Sequence, residues 1–132
     1  MATTTPPIDI LRRARDVLLA TGFEEVRLRP LPAGTEGIVI RPVPPTTVKT
    51  YMDGTQQVAY LMDVFCRFEG EDRAIDAAYV ASQALQADGL PSGNGSYQCS
   101  GVTEYSGAVM SEEPRGDLYT YSVGMRADIT TT

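Results

Sequence analysis

The carboxylates Asp63, Glu69, Glu71 and Asp72 form the densest group of side chains in this sequence with a capacity for acid–base chemistry. A carboxyl pair serves such chemistry when burial keeps one member neutral while the other stays ionised. The rest of the chain offers this group no support. There is no histidine, the commonest general base and metal ligand, and two cysteines without CxxC spacing do not make a structural zinc site. GxGxxG, P-loop and GxSxG patterns are also missing. Asp63 therefore reads as a strand residue that meets an arginine across a sheet, or one that stands where its strand leaves cover. The expectation is a protein that is not an enzyme, with no catalytic, cofactor or metal site.

Other polar clusters read as ordinary surface. The run Ser92-Gly93-Asn94-Gly95-Ser96 offers backbone N–H groups to an anion, but no helix or lysine follows it, and a mobile loop is the simpler account. Arg12, Arg13 and Arg15 are flanked by Asp9 and Asp16 and suit a solvated helix face, and Glu24-Glu25 and Glu112-Glu113 suit solvated loops. Cys66 and Cys99 fall on alternating patterns, as expected of buried free thiols.

At 132 residues the chain is expected to form one domain, 1–132, with loose ends at about 1–5 and 130–132. A formal charge of −6 repels nucleic acid as a whole. No apolar run approaches the ~18 residues of a membrane span, and MATTTPPIDI lacks the regions of a secretory signal, so a soluble, non-exported protein is expected.

The elements follow from periodicity. Leu11, Ala14 and Leu18 with Ile10 and Val17 make a helical stripe, Thr5-Pro6-Pro7 a helix start and Gly22 a stop, which places a first helix at about residues 6 to 21. Two short strands follow around Val26–Arg29 and Ile38–Arg41, with Pro30, Pro32, Pro42, Pro44 and Pro45 at ends or edges. Asp53-Gly54 between extended segments marks a hairpin with a primed two-residue turn, returning along Thr55 to Phe68. GEDRAIDAAYVASQALQADG is a second helix lined by small alanines, with Gly89 past its end. YQCSGVTEY and DLYTYSVGMRADI are two further strands, the last alternating Tyr119, Tyr121, Val123, Met125, Ala127 and Ile129 with Thr120, Ser122, Gly124 and Arg126. The order is α-β-β-β-β-α-β-β, an α+β fold with a mostly antiparallel sheet and two helices packed against it.

Lengths in this layout do not match. The second helix spans only ~25 Å, whereas the strand before it spans ~46 Å. The hairpin end is therefore expected to project beyond helix cover, dividing the strand near Asp63, with Val64–Phe68 under the helix and Val58–Met62 reaching toward a neighbour. The residues of this arm are Val48, Tyr51, Met52, Asp53, Gly54, Gln56, Gln57, Val58, Tyr60, Leu61 and Met62. An apolar two-stranded ribbon is marginal in water alone. It either packs back on its own domain or docks on another subunit.

Taken in order, the Pro-rich strand pair, the PPTTVKTYMDG hairpin lead, YLMDVFCRFEG running into EDRAIDAAYVASQAL, and the closing strand DLYTYSVGMRADI resemble the tail terminator (tail completion, minor capsid-like) proteins of long-tailed bacteriophages. The resemblance implies a virion protein at the head-proximal end of the tail, assembled in the host cytoplasm. It implies a homohexameric ring that caps the polymerised major tail tube protein, stops tube growth and offers a surface to a head-completion or neck protein. DNA would pass through the lumen without sequence-specific binding, and no membrane is involved. By the same likeness the hairpin is an inter-subunit or tube-facing element. The alternatives are a neck or head-closure ring subunit and, outside the family, a small-molecule-binding α+β domain.

Overall fold

The computed structural model describes residues 9–32, 34–92, 97–111, 113–114 and 116–131, the side chains of residues 44–48 excepted. Helix α1, Ile10–Thr21, forms on the stripe Ile10, Ala14 and Leu18, all fully buried. It ends where Gly22 turns to φ 119°, so that Gly22 N–H donates to Leu19 O and Phe23 N–H to Leu18 O. These bonds satisfy carbonyls that a helix end leaves unpaired. The expected start at residues 6–8 and the Thr5 cap lie outside the described residues.

Helix α2, Glu71–Asp88, buries a narrow face of Ala74, Ala77, Ala78, Ala81, Ser82 and Leu85. Without long side chains on that face its backbone can lie close to the sheet. Glu71 and Asp72 occupy the first turn, where carboxylates favour the positive end of the helix dipole, and Gly89 at φ 73° closes the far end. The Tyr121 hydroxyl donates to Glu71 at 3.1 Å and ties this start to the sheet.

The sheet comprises β1 (Val26–Arg27), β2 (Gly37–Thr50), β3 (Gln56–Glu69), β4 (Gln98–Met110) and β5 (Leu118–Thr131), in the spatial order β1-β2-β3-β5-β4. Among the described residues the β1–β2 pair is parallel and the other pairs are antiparallel. The fold is thus α+β with two helices on a mostly antiparallel sheet, as the sequence indicates. In detail, the strand at Ile38–Arg41 and the hairpin lead run on as one strand, β2, carried past Pro44-Pro45 by register shifts against β3. β1 covers β2 only at Ile38 and Val39, so the prolines lie on an open edge, where a missing N–H breaks no ladder.

One core fills the space between helices and sheet. Ile38 and Ile40 from β2, Val58, Met62, Val64 and Cys66 from β3, and Tyr121, Val123, Met125, Ala127 and Ile129 from β5 point into it. Two expectations are corrected here. Both halves of β3 are covered on this face, because Leu90 and Tyr97 join the core beyond the end of α2 and Tyr97 donates to Leu90 O at 2.6 Å. Cys99 pairs with Ile129 and Ile129 with Val58, which brings this segment to the hairpin end of the sheet. Helix and strand lengths alone do not reveal this extension, because it has no helical period.

The second correction concerns the hairpin turn. Tyr51 N–H donates to Thr55 O and Gly54 N–H to Tyr51 O, leaving a three-residue loop, Met52–Gly54, with only Gly54 at positive φ, 89°. A primed two-residue turn would need positive φ at Asp53 as well. Asp53 instead accepts from the Thr55 N–H at 3.0 Å and the Thr55 hydroxyl at 2.7 Å.

Candidate assembly surface

The side-chain period of two in β3 decides what the molecule presents. From Val58 to Phe68 the even-numbered residues enter or pack against the core, and odd-numbered Ala59, Leu61, Asp63, Phe65 and Arg67 face the other way, with no helix over them. Register places Val39, Arg41 and Val43 beside Phe65, Asp63 and Leu61 on one flank, and Ser122, Gly124, Arg126 and Asp128 on the other. The result is a sheet face of buried (Val39, Ala59) and half-buried (Val43, Leu61, Phe65) apolar residues divided by charges. The β1–β2 connection crosses one end of it, where Arg67 donates to Pro32 O at 3.3 Å and to the Thr120 hydroxyl at 3.5 Å. Beneath that crossing lies a hollow of about 140 Å³ lined by Pro30, Leu31, Val39, Arg41, Phe65, Arg67 and Thr120. Ligand sites run from roughly 300 Å³ upward, which makes this a packing gap.

Asp63 lies in the middle of the open face. It accepts a hydrogen bond from Tyr105 of β4 at 3.2 Å and stands opposite Arg41 of β2 in register. The other carboxylates do not converge on it. Glu69 is six residues along the same strand, about 20 Å at ~3.3 Å per residue, and Glu71 accepts from Tyr121. Among the described residues no group of three or more His, Cys, Asp and Glu side chains could hold a metal. Cys66 is buried in the core, which pushes its thiol up to about 12, and Cys99 is half-buried with its thiol raised by burial; both are free. The glycine-rich run at residues 93–96 lies outside the described residues, while Ser92 donates to Asp9 at 2.9 Å.

The arm residues separate into two groups. Val58 and Met62 are buried in the subunit's own core and Tyr60 packs against it, so a neighbour has little access to them. Leu61 is half-buried on the open face, Gln57 is half-buried and Gln56 is exposed. Tyr51, Met52, Asp53 and Gly54 form the exposed tip, and Met52 at 107% relative exposure has no cover at all. The Val48 side chain lies outside the described residues. β3 is flanked by β5 as far as Gln56–Thr131, so the part of the hairpin that stands clear of other strands is the tip.

Sequence reading did not single out two other surfaces. β4 is an edge strand, irregular at three register shifts, and exposes Tyr105, Val109 and Met110. At the far end of β3, Thr21, Gly22, Phe23, Phe68, Arg73, Asp76, Ala77 and Val80 line a hollow of about 400 Å³ between the end of α1 and the start of α2. Phe23 and Phe68 face each other there at 6.4 Å between centroids, and Arg73 lies over the Phe68 ring at 5.6 Å. Its signal in the sequence is limited to two aromatic residues, Phe23 just after the stop of α1 and Phe68 just before the start of α2.

No protein-family model matches the chain, and no curated protein matches it. A solved structure does. It is a chain from the virion of a native gene transfer agent particle, with a TM-score of 0.55 and 19% identity over 91% of this chain and 89% of that one. The two chains share a fold. Among the described residues no helix is long and apolar enough to cross a membrane.

Proposed function

We propose that this chain is a structural protein of a phage-like virion, a ring-forming subunit of the tail-terminator kind at the head-proximal end of the tail. The observation that carries this reading is the near end-to-end likeness to a chain of a gene transfer agent virion, joined to a surface built for contact. No convergent catalytic group competes with it among the described residues. What the molecule exposes is an uncovered sheet face, an apolar tip at Met52 and an edge strand bearing Tyr105, Val109 and Met110. Surfaces of this kind become stable when another subunit covers them, and a closed cyclic assembly does so without growing into an open fibre.

In this reading six copies close a ring on the last layer of the major tail tube protein and stop its polymerisation. The opposite rim receives a head-completion protein. The net charge of −6 suits a lumen through which DNA slides without being held. Incubating purified tail tubes with the protein and following tube length by negative-stain microscopy tests the role. Tubes that stop growing and carry a ring at one end are expected; tubes that lengthen as if the protein were absent overturn it. A neck ring subunit would bind the head portal vertex and leave naked tubes untouched.

A further inference from the structure

The exposed tip and the hollow lined by Phe23 and Phe68 lie at opposite ends of β3. From Gln56, next to the tip, to Phe68, in the hollow, is twelve residues, about 40 Å at ~3.3 Å per residue. A chain cannot insert its own tip into its own hollow. If the two surfaces meet, they meet between copies.

Their chemistry matches. The tip offers one unbranched apolar side chain, Met52, on a loop that the Asp53–Thr55 hydrogen bonds hold in shape before any contact is made. A preformed loop loses little freedom on docking. The hollow offers two phenylalanine rings, Ala77 and Val80, and methionine sulfur packs well at aromatic rings. The charges are also paired. Met52 lies between Asp53 and Lys49, whose amine sits over the Tyr51 ring at 5.0 Å. The hollow carries Arg73, with its side chain 61% exposed beyond its 3.1 Å bridge to Glu36, and acidic groups at Asp76 and, in the adjoining depression, Glu24 and Glu25.

We propose that the Met52 tip of one copy seats in the Phe23, Phe68 and Val80 hollow of the next copy, with Asp53 on Arg73 and Lys49 against the acidic rim. This rests on the assembly reading above and names the contact that would build it. Tip and hollow are different surfaces, so the contact is head-to-tail, the kind that closes a ring when the rotation between copies is right.

Paired cysteines test this in a Cys99→Ala background, which leaves the buried Cys66 as the only natural thiol. Chains carrying Met52→Cys are mixed with chains carrying Val80→Cys and oxidised mildly, with and without tail tubes. The expected result is a disulfide-linked dimer that forms in the mixture and not in either chain alone, and a covalent ladder when both changes are in one chain. Oligomers seen by light scattering without the mixed disulfide overturn the docking contact and leave the assembly reading intact. A strict monomer that also ignores tail tubes overturns both. Asp53→Asn keeps an acceptor for Thr55 while removing the charge, and an association weakened roughly three- to tenfold is expected of a lost rim pair. Unchanged association overturns the Asp53–Arg73 pairing.

Discussion

Tyr105 of β4 reaches across β5 to donate its phenol hydrogen to Asp63 of β3, passing directly over Gly124. A Cβ at Gly124 would lie 2.7 Å from the Tyr105 ring carbon Cζ, so the glycine is what allows the ring to lie flat over the strand. The bond ties the edge strand to the centre of the open face. It also gives the Asp63 carboxylate a hydrogen-bond donor from the edge strand, on the side away from Arg41 of β2.

Gly124→Ala is expected to displace Tyr105 and cost up to about 1 kcal/mol, because the ring is already 47% exposed and can swing outward. In a Tyr105→Ala background the cost should shrink to within about 0.5 kcal/mol of zero, because the remaining close contact, Ser106 Cβ at 3.0 Å, offsets what a strand interior gains from losing a glycine. Urea denaturation of the four proteins of this double-mutant cycle measures the coupling. Additive effects would mean that ring and glycine do not meet.

Met62 and Met52 sit ten positions apart and should behave oppositely. Met62→Ala removes a fully buried core side chain and should lower monomer stability by about 2–5 kcal/mol. Met52→Ala touches nothing within the subunit and should stay within about 0.5 kcal/mol of the parent. Chemical denaturation at a concentration low enough to keep the chain monomeric separates them, and a stability loss at Met52 would mean that the tip packs on its own domain.

The Cys66 thiol, raised to about 12 by burial, stays protonated in the folded chain while the unfolded chain ionises near 9.0. The folded state then holds more protons than the unfolded state, and the stability difference is fully present below pH 9. Stability from this group should fall by up to about 1.4 kcal/mol per pH unit between pH 9 and 12. A Cys66→Ala variant should show a shallower alkaline decline, and a slope equal to that of the parent would contradict the assignment. At pH 8 a thiol reagent should label Cys99 well before Cys66, as read by mass spectrometry.

Much of this architecture is legible in the residues because local signals agree. Gly22 and Gly89 stop their helices where the apolar stripes end, and the alternation of Tyr121, Val123, Met125, Ala127 and Ile129 assigns their face of β5 correctly. What could not be read are features set by tertiary position. The prolines of β2 read as strand ends or edges and lie on an edge; what the sequence does not show is that one strand runs on through them. Leu90 and Tyr97 carry no periodicity, so their cover over the hairpin end of β3 is not legible, and Val58 and Met62 read as part of an arm. The tip at Met52 and Asp53 was legible from its turn residues. Its proposed receptor was not, because Phe23, Phe68 and Val80 come together only when the two helices pack.

In the proposed assembly this chain closes into a ring at the end of a tail tube. Multi-angle light scattering of the protein with short purified tubes, combined with negative-stain end views, tests it most directly. A six-fold ring seated on one end of each tube is expected. A protein that stays monomeric at high concentration and leaves tube ends bare would contradict it.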